Sequence, residues 1–179
     1  MDYIILGLLL LESRTVYQLR DRINKGLNLM YSSSMGSIQA AIKKLLGGGY
    51  IRFEEAVENG KYKKIYSITE SGKQLFFHWV NAPIEAQTPK SPELTKLYFM
   101  GLSSRENRES RIEQHLFYLK GQYEILNAIC EEADNIKIDA EHFDIFQYQH
   151  MSAIYGRDLM KFNIDWYEGL LQKMRRKEL

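Results

Sequence analysis

The chain opens on a nearly unbroken apolar run, Ile4, Ile5, Leu6, Leu8, Leu9, Leu10 and Leu11, which predicts a helix buried on more than one side. Leu19 and Ile23, four apart, predict a second helix from Val16 to Lys25, capped by Thr15 and stopped by Gly26. The third run is sharper. Ile38, Ala41, Ile42, Leu45 and Leu46 fall at i, i+3, i+4, i+7 and i+8, one face of a helix over Ser34–Leu46. Its outer face carries Gly36, Ala40, Lys43 and Gly47, with Ser37 and Lys44 on one flank and Gln39 on the other. The period then shortens to two. Ile51, Phe53 and Val57 lead out and Tyr66 and Ile68 return, with Asn59-Gly60 between them as a type I′ turn. Thr69 next caps a fourth helix, with Glu70 at its positive end and Leu75, Phe76 and Trp79 as a heavy apolar face.

Prolines 83, 89 and 92 all fall between residues 81 and 92, which predicts a linker. The expected organisation is a head over 1–81, a linker over 82–92 and a body over 93–179. Ser91-Pro92-Glu93 opens a short helix that ends near Gly101. Ser103 and Glu106 are spaced as a capping box for a long helix. In it Ile112, Leu116, Leu119, Tyr123, Leu126, Cys130 and Ala133 keep a 4-3 spacing, a coiled-coil seam about three heptads deep. Asp139 is the expected cap of the last helix. There Met160, Ile164, Tyr167, Leu171 and Met174 keep the same spacing, and running it backward gives Arg157, Ala153, His150, Phe146 and Phe143. A second stripe, Met151, Tyr155, Phe162, Trp166 and Leu170, lies on another side. Two stripes require two partners, the preceding helix and, most economically, a second copy of the chain. The seam residues Ile112, Leu116, Leu119, Tyr123 and Leu126, with Met160, Ile164, Tyr167 and Leu171, are the expected dimerisation set. The fold class expected is mainly α with a small β-hairpin: an N-terminal winged helix-turn-helix followed by a C-terminal long-helix dimerisation domain.

Charge sharpens the division. The 179 residues carry a net charge of +1, but residues 1–80 hold 11 Lys+Arg against 7 Asp+Glu, whereas residues 81–179 hold 13 against 16. A basic front suits a polyanion. The slim basic helix fits a DNA major groove, and Ser33 and Ser34 can cap it while leaving amide groups free for a phosphate. Lys61, Lys63 and Lys64 beside the hairpin turn would reach flanking phosphates. Guarding an exposed strand edge is the ordinary alternative for such lysines.

Other chemistries find little support. The run from Tyr3 to Leu11 is shorter than the ~20 residues a membrane span needs, and it lacks the basic lead-in of a signal peptide. A cytoplasmic protein with no membrane partner is expected, and the single Cys130 fits a reducing compartment. There is no Gly-rich phosphate loop, no H-E-x-x-H and no G-x-S-x-G, so no enzyme and no cofactor are expected. His78, His115, His142 and His150 share no metal-ligand spacing, and no metal is expected. His150 and Arg157 interrupt the apolar seam. They either pair with glutamates such as Glu113 or Glu124 and fix register, or hold an anionic effector. Trp79, Tyr98 and Phe99 flank the linker and either line an aromatic pocket or pack in a core.

Several of these segments together resemble the PadR family of bacterial transcriptional regulators, of the type with a long helical C-terminal half. The resemblance is carried by Ile4-Ile5-Leu6-Gly7-Leu8-Leu9, by Val16-Tyr17-Gln18-Leu19, by Ser37-Ile38 with Leu45 and Gly49-Tyr50-Ile51, and by Tyr66-Ser67-Ile68-Thr69-Glu70-Ser71-Gly72. Gly156 followed by Trp166 resembles the family's last helix. The resemblance implies a homodimer paired through its C-terminal helices and bound to double-stranded DNA at a near-palindromic operator, usually as a repressor. It implies DNA release by a small, often aromatic, effector in some members. It also implies a DNA-backbone contact at Tyr17. Two positions depart from the family pattern: Gln39 replaces a tyrosine and Val16 a glycine. These departures leave a protein-interaction adaptor with a degenerate head as the competing expectation.

Overall fold

Hydroxyl side chains start three of the helices of the first half where the sequence nominates them. The computed structural model describes residues 1–26, 34–58, 61–84 and 92–179. After α1 (Asp2–Leu11), Thr15 and Gln18 form a reciprocal box at the head of α2 (Val16–Gly26): Gln18 N donates to Thr15 Oγ1 at 3.3 Å, and Thr15 N donates to Gln18 Oε1 at 2.8 Å. Ser34 caps α3 (Met35–Gly47) by accepting from Ser37 N at 3.1 Å. Thr69 caps α4 (Glu70–Val80) by accepting from Gly72 N at 3.2 Å. Between α3 and α4 lies an antiparallel hairpin of β1 (Ile51–Glu58) and β2 (Lys61–Ile68), in register from Ile51 opposite Ile68 to Glu58 opposite Lys61. The turn residues Asn59 and Gly60 lie outside the described residues. A backbone bridge not anticipated from the sequence joins Arg14 to Tyr66, with N–H···O distances of 3.0 and 2.9 Å.

The chain divides into two units, Met1–Gln87 and Thr88–Leu179. In the first, Ile5, Leu6 and Leu9 of α1 meet Leu19, Ile23, Ile38, Ile42, Leu45 and Ile51 in one core. Burial of these side chains stabilises the unit by roughly 1.5–3 kcal/mol each before the entropic cost of ordering. Two glycines are required by the chain path into and beside the hairpin. Gly49 adopts φ +69°, which L side chains avoid. Gly72 lies so close to the Tyr50 carbonyl that a Cβ there would meet its oxygen at 2.1 Å.

The second unit holds α5 (Pro92–Phe99), a 3₁₀ turn (Met100–Leu102), α6 (Arg105–Asp134) and α7 (Phe143–Arg175). Two expected caps are corrected. The cap of α6 is Ser104, which accepts from Asn107 N, one residue after the Ser103/Glu106 reading. Helix α7 starts after His142 with no side-chain cap, and Asp139 contributes its backbone carbonyl to His142 N at 3.0 Å. Helices α6 and α7 pack antiparallel, as Arg175 bound to Glu113, Lys120 2.6 Å from Glu168, and His150 facing Asp134 together require.

The seam pattern of both helices is real, and within one chain each helix fills the other's seam. Ile112, Leu116 and Leu119 bury against Ile164, Tyr167, Leu171 and Met174 of the same chain, with Tyr123 packed alongside. Leu126 is buried too, and Met160 is half-buried. The other stripe of α7 remains open, with Met151, Tyr155, Phe162 and Trp166 exposed and Leu170 half-buried.

Candidate nucleic-acid interface

Helix α3 turns Ile38, Ala41, Ile42 and Leu45 into the core, which sets Gly36, Gln39, Ala40, Lys43 and Gly47 outward. The outward face is narrow at its N-terminal end because Gly36 and Ala40 have almost no side chain. Ser37 is half-buried and serves the helix start: its hydroxyl donates to Ser34 O at 2.8 Å while its N–H donates to Ser34 Oγ. Ser33 lies outside the described residues. Helix α2 packs on α3, and its Tyr17 is 76% exposed. Arg20 and Arg22 are exposed on the same helix.

Two lysines of α3 differ in their surroundings. Lys43 is exposed. Lys44 Nζ lies 2.7 Å from Asp2 Oδ2 at the start of α1, and the hydrogen bond and charge of Asp2 hold its ammonium above the usual lysine range. A neighbouring carboxylate offsets much of the field that Lys44 would present to a phosphate.

The hairpin lysines do not form one surface. Strand alternation places Tyr62, Lys64 and Tyr66 on one face, with Phe53, Glu55 and Val57 opposite them, and Lys63 on the other. Lys64 Nζ sits 4.1 Å from the Phe53 ring centroid and 3.8 Å from Glu55 Oε1. Lys63 is exposed; the side chain of Lys61 lies outside the described residues. The three glutamates of β1 match the three lysines of β2 in number, which leaves Arg52 as the excess, so the hairpin is only weakly basic. Tyr62 was not singled out in the sequence, yet it is 83% exposed beside Lys64. Period-two alternation with Lys64 was the signal available for it.

The residues expected to hold an effector engage neighbours within their own units. Trp79 stacks on Tyr3 with ring centroids 4.5 Å apart and planes 5° from parallel. Tyr98 and Phe99 meet edge to face at 4.9 Å. His150 is buried, with Nε2 3.6 Å from Asp134 Oδ1 and no hydrogen-bond partner among the described residues. Arg157 pairs with Asp158, its neighbour on α7, at 2.9 Å. The nearest carboxylates are therefore those of Asp134 and Asp158, not the expected Glu113 and Glu124. Glu113 is engaged by Arg175. Cys130 is fully buried, and burial pushes its thiol up, as befits a packed group. Among the described residues no cluster of His, Cys, Asp or Glu is arranged to hold a metal, and no helix is long and apolar enough to cross a membrane.

Residues 5–77 match the model of the transcriptional regulator PadR-like family. Over 96% of its length the chain is 29% identical to the negative transcriptional regulator PadR of Bacillus subtilis (strain 168), covering 95% of that protein. The crystal structure of Bacillus subtilis PadR in complex with operator DNA matches 97% of this chain and 98% of its own, with a TM-score of 0.80 and 24% identity. The same protein in complex with p-coumaric acid matches 97% and 98%, with a TM-score of 0.75 and 23% identity. The fold is thus that of PadR proteins, with a winged-helix first unit.

Proposed function

We propose, from the match of residues 5–77 to the PadR-like family of transcriptional regulators, that this chain is a member of that family and a DNA-binding repressor that works as a homodimer. The observation that carries the reading is the outer face of α3, small at its capped end and positive at Lys43. Such a face enters a major groove with Gln39 and Lys43 nearest the base edges, while Tyr17 and the exposed arginines of α2 meet the backbone. Ser34, Ser37, Lys44, Lys63 and Lys64 are assigned to the rim of this footprint, with Lys44 and Lys64 weakened by their acidic neighbours, and Ser33 and Lys61 belong to it by their place in the sequence.

Residues 1–81 form the reading head in this scheme, 82–92 the linker and 93–179 the dimerising body. The open stripe of α7 through Tyr155, Phe162 and Trp166 pairs with its counterpart in a second copy. A dimer of this kind reads two half-sites about one turn of duplex apart. A small aromatic effector relieves repression, as the p-coumaric acid complex of the relative suggests. DNA as the partner also implies a cytoplasmic location.

The experiment is recovery of duplexes from random genomic fragments, followed by anisotropy titration of the enriched sequence. Retention of a pseudo-palindromic site by a two-chain species is the expected result. Failure to retain any duplex at low ionic strength overturns the reading.

A further inference from the structure

The polar side chains on the outward face of α3 and its flanks are Ser37, Gln39, Lys43 and Lys44. Two of the four are already engaged within the chain. The Ser37 hydroxyl donates to Ser34 O at 2.8 Å, and Lys44 Nζ sits 2.7 Å from Asp2 Oδ2. Gln39 and Lys43 are exposed, and their side chains make no hydrogen bond or ion pair among the described residues.

These two free groups differ in what they can recognise. Lys43 presents donors alone, whereas the Gln39 carboxamide holds a donor and an acceptor side by side in one plane. Among the base edges of the major groove, adenine supplies the complement, an acceptor at N7 beside a donor at N6. Guanine supplies acceptors at both N7 and O6, so one of them would oppose Gln39 Oε1. The approach to Gln39 is also clear. Gly36, three residues before it, and Ala40, beside it, are both exposed. Glycine is a poor helix former, and the packing of this chain does not call for it at position 36. A Cβ there would meet only Ser34 Oγ, at 3.8 Å, and the backbone lies outside the left-handed region. The fold thus has room for a side chain at 36 and carries none, on the face proposed to meet DNA.

We propose that Gln39 selects an adenine in each half-site, its Oε1 accepting from N6–H and its Nε2–H donating to N7, with Gly36 giving the base edge its clearance. The inference deepens the proposed function by naming the base its reading helix selects, and it rests on that reading. Lys43, one turn further along, adds attraction to phosphate without choosing a base.

The test takes the duplex enriched from random genomic fragments, with its single-base variants, and follows binding of the full chain by anisotropy. For the wild-type chain one A·T pair in each half-site, the two related by the dyad, resists replacement: G·C there weakens binding by at least about fivefold. Substitution of that adenine by 7-deazaadenine, which removes the N7 acceptor and leaves the protein untouched, also weakens binding. Gln39→Ala binds the A·T and G·C duplexes equally and keeps the preferences at other positions. Its salt dependence is unchanged, since no charge is removed. Gln39→Arg turns the preference toward guanine, whose O6 and N7 suit a guanidinium. Gly36→Leu weakens every duplex by at least about tenfold, with no fall in thermal midpoint.

A uniform loss over all sequences in Gln39→Ala makes Gln39 a backbone contact and overturns the inference. Indifference to 7-deazaadenine, or undiminished binding by Gly36→Leu, overturns it as well. Retention of a duplex that holds no Gln39-dependent adenine overturns this inference alone, and the repressor reading stands. Failure of the wild-type chain to retain any duplex overturns that reading, and this inference with it.

Discussion

Lys44 and Asp2 are joined across 42 residues of sequence, Nζ to Oδ2 at 2.7 Å, so the first acidic residue of α1 restrains a cation on the helix proposed to enter DNA. The two lysines of α3 therefore contribute unequally. Lys43→Ala lowers the salt dependence of duplex binding by about one unit, as expected for loss of a phosphate contact. Lys44→Ala lowers it by less, and Asp2→Asn raises the affinity of the wild-type face. Anisotropy titrations from low to moderate salt measure all three. Equal slopes for Lys43→Ala and Lys44→Ala exclude the restraint.

The open stripe of α7 and the buried seam separate assembly from folding. Tyr155→Glu with Phe162→Glu yields a folded single chain by sedimentation, and duplex binding weakens because two half-sites are no longer held together. Ile112→Ala lowers unfolding stability by about 2–5 kcal/mol, the range for a truncated buried aliphatic side chain. Denaturant midpoints together with sedimentation distinguish the two effects. A pair of glutamates on the stripe that leaves a two-chain species intact removes the stripe from the interface.

Gly72 admits no side chain. Gly72→Ala would drive its methyl into the Tyr50 carbonyl, and the strained unit loses about 1–3 kcal/mol or more. Thermal unfolding of the variant reports the loss as a lower midpoint. Gly121→Ala, where a Cβ meets nothing within 4 Å and the backbone is helical, raises stability by a few tenths of a kcal/mol to about 1.

Alkali destabilises the chain. Burial raises the Tyr66 phenol; burial first, and Glu93 second, raise Tyr167; burial raises the Cys130 thiol. The folded chain then keeps protons that the unfolded chain has released. More protons are bound in the folded state, so stability falls as pH rises above about 9, where unfolded thiols and phenols begin to ionise. Urea midpoints at neutral pH and near pH 10 test this, and an unchanged midpoint contradicts it.

Local rules made much of the fold legible. Thr15, Ser34 and Thr69 cap helices through hydrogen bonds that span three residues, so their short-range sequence context was sufficient. Ser103 and Ser104 are adjacent hydroxyls, and backbone geometry chose the second. The 4-3 seam was readable as a stripe, but a stripe does not encode whether its partner is the same chain. Antiparallel register then decided the partners of polar residues. Asp134, at the end of α6, faces His150 near the start of α7, a pairing invisible before the helices are docked. At the candidate interface the outward set of α3 followed from its period. Lys44 and the hairpin lysines looked stronger in sequence than in structure because Asp2 and Glu55 approach only on folding.

The junction between α3 and α4 behaves as a welded joint. Thr69 and Ser71 hydroxyls donate to the Gly49 carbonyl at 2.8 and 3.1 Å, Thr69 N donates to Tyr50 O at 3.0 Å, and Gly72 lies flush against that same peptide. A tilt of α4 must drag residues 49 and 50 along, and the trailing end of α3 with them. Torque applied to the fourth helix is thus converted directly into a change of pitch of the third.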